Sequence, residues 1–216
     1  NVWCAAGKGT FGTDELVRQI RAADLAAIVS HRKVIVPQLG APGISAPEVA
    51  RQAGFAVEYG PVRASDLPEY LRTHTATPAM RRVQFPVADR IVLAPVELVA
   101  ALPMFLAAIV LWFLAGPVAA HAAVATVLVG TVAFPILLPF IPTRDFSTKG
   151  LLLGGLTALP FAVAFGMNPA LPPWARALAA ATVLLVVPAV VAYLALNFTG
   201  STTFTSRTGV KKEIFR

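Results

Sequence analysis

The stretch Ala175–Phe198 reads ARALAAATVLLVVPAVVAYLALNF, with one charged residue, Arg176, near its start. As an α-helix, a run this long and apolar crosses the hydrocarbon core of a bilayer, for which about 20 residues suffice. Working back along the chain, three more such runs follow: Ile91–Ala115, Val118–Ile141 and Gly150–Gly166. The third is the shortest, and spans with little tilt or by borrowing length from its flanks. Pro103, Pro135, Pro139, Pro160 and Pro188 fall inside the runs. Neighbouring helices re-satisfy the carbonyls that such prolines free, so kinks rather than breaks are expected.

The charges between the runs set an orientation. Arg81, Arg82 and Arg90 precede the first run, Arg144 and Lys149 separate the second from the third, and Arg207, Lys211, Lys212 and Arg216 follow the fourth. The connection at Gly116–Pro117 is uncharged, as is Met167–Trp174. Basic segments therefore alternate as an even number of spans requires. The expectation is a multi-pass protein of the cytoplasmic (inner) membrane, with both termini in the cytoplasm. Glu97 and His121 are ionisable residues inside the runs, and such groups are functional candidates by default. Both lie near a span end, where a headgroup-level position is the plainer account. The pair Gly154–Gly155 suits close helix packing.

Composition separates two regions. Hydrophobic residues make up 56% of the 216 and charged ones 13%, with a mean hydropathy of +0.70. That is too apolar for a soluble domain, which carries about a quarter charged residues. Most charges lie before Arg90. The net charge of +7 fits basic flanks of apolar spans, and no aromatic-and-basic pattern of a nucleic-acid binder accompanies it. One cysteine, Cys4, excludes an internal disulfide or an iron–sulfur cluster built by this chain alone. His31, His74 and His121 have no zinc-ligand spacing. The chain opens at Asn1 without a Met and is expected to continue upstream.

Before the spans, apolar runs alternate with amphipathic ones. Asn1–Ala6 reads as a strand end, and Thr13 as the N-cap of a helix whose stripe is Leu16, Val17, Ile20, Leu25 and Ile28. Lys33–Pro37 reads as a strand, Ala46–Ala53 as a helix, Phe55–Tyr59 as a strand and Ser65–Thr73 as a helix. That order predicts a Rossmann-like α/β domain with a parallel sheet, its ligands beyond the carboxyl ends of the strands. Boundaries follow as residues 1–82 for this domain, 83–90 for a linker, 91–198 for the transmembrane domain of about four helices and 199–216 for a basic tail.

The segment Gly7-Lys8-Gly9-Thr10-Phe11-Gly12 matches the dinucleotide fingerprint in a strand-to-helix context. The second strand, however, ends Val36-Pro37-Gln38, without the acidic residue that would hold a ribose. Nor is it a P-loop, since Val2 stands where the first glycine belongs. Close backbone approach to a large partner and a simple tight turn both fit these glycines. Cys4 is equally two-sided. A lone cysteine often serves as a small apolar residue, yet a place before a glycine turn and beside Lys8 favours the thiolate.

The run Asn1-Val2-Trp3-Cys4-Ala5-Ala6-Gly7-Lys8 resembles the signature of the corrinoid protein of the mercury-methylation pair of bacteria and archaea. The same region is similar to the corrinoid-binding domain in the large subunit of the corrinoid iron–sulfur protein of acetyl-CoA synthesis. A membrane domain accompanies the former family and not the latter. The resemblance implies a corrinoid (cobalamin-type) cofactor bound by Asn1, Val2, Trp3, Cys4, Ala5, Ala6, Gly7, Lys8, Gly9 and Thr10, with Cys4 as the lower axial cobalt ligand. It implies methyl transfer from methylcobalt(III) to inorganic Hg(II), giving methylmercury. A soft thiolate opposite the methyl would stabilise the cobalt(III) left behind. Asn1 and Trp3 would shape the pocket, Gly7 and Gly9 would let backbone approach the corrin, and Lys8 would support the thiolate or a corrin amide. The implied partners are a ferredoxin-like protein with two [4Fe–4S] clusters, as reductant and Hg(II) donor, and a methyl-folate-dependent methyl donor. Two other readings share parts of the pattern: a membrane-tethered methyl carrier for another acceptor, and a non-enzymatic transporter or sensor in which Glu97 or His121 matters.

Overall fold

The computed structural model describes residues 2, 5, 6, 9–202 and 207–215. The chain divides into two compact units, Asn1–Gln84 and Phe85–Arg216.

In the first unit, Val2, Ala5 and Ala6 are helical. Helix α1 (Thr13–Ala22) buries Val17 and Ile20, and the left-handed Asp24 separates it from a single turn, α2 (Leu25–Ile28). The apolar stripe therefore ends early, and Ile28 is exposed. Strand β1 (Lys33–Val36) leads through a loop into α3 (Ala46–Ala53) and then β2 (Ala56–Tyr59), which pairs with β1 in parallel, Lys33 opposite Ala56 and Val36 opposite Tyr59. Gly54 ends α3 in the left-handed conformation that glycine adopts at no steric cost. Helix α4 (Leu67–Thr73) closes the unit. The core gathers Val17, Ile20, Val36, Ile44, Val49 and Phe55, with the Arg32 guanidinium 5.5 Å from the centre of the Phe55 ring.

The expected Rossmann-like domain is not present. Among the described residues there are two strands of four residues each, in an otherwise helical unit. The predicted first strand fails because Val2, Ala5 and Ala6 are helical, as adjacent alanines favour. Without that strand there is no doubly wound sheet, and no point where the strand order reverses to form a ligand crevice.

Tyr70, on α4, is buried and donates its phenol to Glu58 of β2. Burial, reinforced by that carboxylate, pushes its pKa up to about 12 from 10.0. A raised folded-state pKa gives stability that is complete below the unfolded value and lost above it. Tyr70 thus contributes no pH slope to the stability of this unit below pH 10, and a falling one between pH 10 and about 12. Denaturant unfolding of the Tyr70→Phe chain will lack that alkaline decline.

The second unit starts with two short helices, α5 (Val87–Ile91) and α6 (Ala94–Ala100), and continues as α7 (Leu102–Ala115). The axis bends by 57° between Ala100 and Leu102. Pro103 occupies the first turn of α7, where its missing N–H costs no intrahelical bond. The result here is a break rather than a kink. Next come α8 (Pro117–Leu128), a π-helical turn at Val129–Ala133, and α9 (Phe134–Leu137), continuous over Pro117–Leu137. Two long helices complete the bundle, α10 (Phe146–Gly166) and α11 (Pro173–Asn197), each with an internal proline. A short helix, α12 (Arg207–Ile214), follows. Among the described residues, three helices are long and apolar enough to cross a membrane, and a fourth span exists if the bent pair counts as one. Their outward faces carry large apolar side chains such as Phe113, Leu114, Trp174 and Leu185, an exposure that fits a lipid environment.

Helices α10 and α11 meet along a seam of small residues. A Cβ on Gly150 would stand 2.6 Å from Ala192 Cα, and one on Gly154 2.6 Å from Pro188 Cα, both backbone atoms. Ala158 and Ala195 are fully buried along the same contact. Gly155 faces open space, so one member of the glycine pair packs and the other does not. Below this seam Phe134 sits with Phe146 and Phe198, each ring centre 6.1 Å away. Gly154→Ala will destabilise the second unit by about 1–3 kcal/mol, the usual overpacking cost, whereas Gly155→Ala will leave it unchanged or slightly firmer. Thermal unfolding of the two variants in detergent checks this.

Candidate functional site

The described part of the motif is Val2, Ala5, Ala6, Gly9 and Thr10. The amide of Thr10 donates to Ala5 O at 3.0 Å and that of Gly9 to Ala6 O at 3.2 Å, with Gly9 at φ +81°. These two bonds, six-to-one and five-to-two around a left-handed glycine, are those by which a helix stops. Thr10 Oγ1 and the Phe11 amide also donate to Ala5 O, at 3.2 and 3.1 Å. Gly9 is therefore required by a helix end. The dinucleotide fingerprint fails for the same reason, since its glycines follow helical residues where a strand was expected.

This turn rests on the loop between β1 and α3. Thr13 N donates to Gly43 O at 3.1 Å, and Ser45 N donates to Thr13 Oγ1 at 2.9 Å. Thr13 ties two segments together, while Gly12 takes the N-cap position predicted for Thr13. A Cβ on Gly43 would lie 2.6 Å from Phe11 O, 2.9 Å from Ala6 O and 3.0 Å from Ala6 Cα. At Gly40 the obstacle is the Phe11 ring, 2.7 Å away. Tyr59 of β2 donates its hydroxyl to Ile44 O at 2.7 Å, and Arg81 reaches Gln38 Oε1 at 2.7 Å. The loop from Pro37 to Ser45 is thus a platform, pinned from β2 and Arg81, that seats the C-terminal end of the motif at the carboxyl end of β1. Sequence reading missed Gly40 and Gly43. Their signal is the run Gly40-Ala41-Pro42-Gly43, which reads as loop filler until a second segment is laid across it.

Asn1, Trp3, Cys4, Gly7 and Lys8 lie outside the described residues. Among those described, no three His, Cys, Asp or Glu side chains gather as a metal cage. A bare ion has no donor set there. A metal that brings four equatorial nitrogens of its own needs one protein donor, and a single soft thiol meets that requirement.

Among the described residues, the second unit holds two buried cations. Arg90 Nη1 donates to Pro135 O at 3.3 Å and to Ile136 O, while its buried Nε has no hydrogen-bond partner among the described residues. Lys149 Nζ donates to Leu138 O at 2.9 Å and Ile141 O at 2.5 Å. Both cations therefore close the carbonyl end of α9, where a helix carries partial negative charge and unbonded oxygens. Their role is structural. The sequence reading had treated them as topology markers only. His121 is accounted for locally: its Nδ1 lies 2.6 Å from Pro117 O and its ring 5.7 Å from that of Trp112. Glu97 is half-buried on α6, beside the bend. An apolar cavity of about 720 Å³ lies among α7, α8 and α11. The hydroxyls on its wall, Thr126 and Thr182, donate to the carbonyls of their own helices. It offers no reacting group.

Gly43→Ala will push the motif segment off its platform. Amide exchange at Thr10 and Phe11 should rise about ten- to hundredfold for a local cost of about 1–3 kcal/mol, while Ala56, bonded to Arg32 O, and Gly60, bonded to Val36 O, keep their protection. No protein-family model matches the chain, and neither does any curated protein or solved structure.

Proposed function

We propose that this chain is a membrane-bound, corrinoid-dependent methyltransferase that methylates inorganic Hg(II), with the Cys4 thiolate as the lower axial ligand of the cobalt. The observation that carries the reading is the octapeptide Asn1–Lys8, with Trp and Cys in place, in a chain that continues into apolar helices. The alternative methyl carrier shares the octapeptide but leaves the apolar helices without a role. The sensor reading loses support from His121, whose ring nitrogen lies against the carbonyl at its own helix start.

When bound, the corrinoid would supply a cobalt-held methyl group for transfer to Hg(II), as a carbanion or as a radical. This chain's residues provide the setting. Cys4 offers a soft, anionic donor, and Lys8 a nearby positive charge in sequence that favours the deprotonated sulfur. The Gly9 stop ends the motif helix at a defined point, and the Gly43 platform bears on its last residues through Ala6 and Phe11. With one cysteine, the chain depends on an external electron source. A ferredoxin-like partner with two [4Fe–4S] clusters fits that need and can hand over Hg(II) from its own thiolates. The methyl group comes from a methyl-folate-dependent donor system. The basic flanks of the apolar runs support an orientation with both termini in the cytoplasm, the side on which soluble partners would meet the motif.

The test uses the full chain reconstituted with cobalamin. The visible spectrum should show thiolate ligation that Cys4→Ala removes. Methylmercury formation with reductant, partner and methyl donor should fall by about 100-fold or more, beyond the usual cost of losing a supporting residue around a metal. A bound corrinoid whose spectrum ignores Cys4→Ala would overturn the ligand assignment. A methylated protein that gives no methylmercury would overturn the acceptor.

A further inference from the structure

We infer that α12 with Phe215 is a docking surface for anionic lipid headgroups at the membrane boundary. The inference rests on the second unit spanning a membrane and is independent of the methyl-transfer reading.

Its first support is where the helix is held. Glu213 Oε2 accepts hydrogen bonds from Ser147 N at 3.1 Å and Ser147 Oγ at 3.2 Å. Ser147 is the second residue of α10, a helix long and apolar enough to span. A carboxylate there meets the free amides and positive pole of that helix end. The apolar run Pro173–Gly200 ends just before α12. Two spans thus reach their ends beside α12, and the carboxylate fixes it at that level, the depth of the headgroups.

The second support is the face left outward. Gly209 and Glu213, one turn apart, are half-buried, whereas Lys211, Lys212, Ile214 and Phe215 are exposed, Phe215 by 79%. At helical spacing, Lys211 and Phe215 stand one turn apart, as do Lys211 and Ile214. Two ammonium groups on flexible stems flank an isoleucine and an aromatic ring. An apolar ring at headgroup depth enters the acyl boundary, and lysines beside it reach phosphates. Arg207 and Arg216 bring the basic count of the segment to four, the range in which a juxtamembrane cluster binds acidic lipid. The sole acid of α12, Glu213, is already engaged by Ser147, so the exposed face has one sign. Charge complementarity selects an anionic lipid over a neutral one.

The experiment places the full chain in nanodiscs of phosphatidylcholine alone or mixed with phosphatidylglycerol. It reads amide exchange over residues 207–215 and, by native mass spectrometry, the lipid that stays bound. Phosphatidylglycerol should be retained over phosphatidylcholine and should protect the segment in a salt-sensitive way. Lys211→Gln with Lys212→Gln should cut that preference on the order of tenfold, without changing thermal unfolding. Equal retention of the two lipids would overturn the proposal, as would a preference untouched by the double substitution. Protection that appears in neutral nanodiscs only on adding an acidic ferredoxin-like protein would overturn it in favour of protein docking.

Discussion

Backbone meets backbone at a few glycines, and both units are assembled around those contacts. In hydrocarbon there is no hydrophobic force to draw two apolar helices together, so close van der Waals contact must do it. Gly150 and Gly154 make that contact possible between α10 and α11 by leaving nothing between one helix and the backbone of the other. Gly43 does the same in the first unit, where a loop and the end of the motif touch through carbonyl and Cα atoms. Side chains then fill around these points: Phe134 with its aromatic neighbours in one unit, Phe55 and Val49 in the other.

The end of α9 shows a second economy. Pro135 O has no helical amide to accept from, because residue 139 is a proline, and in an apolar setting an unbonded carbonyl is costly. Arg90 and Lys149 serve the carbonyls there from two different helices. The same bonds hold the start of the bent pair and the start of α10 to the helix between them. One set of interactions solves a solvation problem and sets the packing at that end of the bundle. The π-helical turn at Val129–Ala133, directly upstream, belongs to the same adjustment, because local widening accommodates the Pro135 that follows.

Legibility in the sequence followed the strength of the local signal. The long apolar runs were legible because their length has one physical meaning; α11 begins and ends within a few residues of its expected limits. Lys33–Pro37 reads as an apolar strand run and Ala46–Ala53 as a short helix after a Pro/Gly loop, and both elements are present, the strand ending one residue earlier at Val36. Asn1–Ala6 was misread because six residues before a glycine carry no period long enough to tell helix from strand. The glycine-rich match depends on that strand-to-helix context, which Ala5 and Ala6 contradict. The break at Ala101 was hidden because Pro103 looks the same whether it kinks a helix or begins one. Platform glycines such as Gly43 were illegible in principle, since what they accommodate lies some 30 residues away. The octapeptide was legible only as a resemblance, and no periodicity could have supplied its chemistry.

The clamp at Arg90 has a mechanical consequence. It sits six residues beyond Gln84, where the first unit ends, and before the 57° bend. A tug arriving along the chain from the first unit meets this anchorage before it reaches α7. The guanidinium acts like the strain relief on a cable: force is diverted sideways into the end of the second span, and the deeper helices are spared.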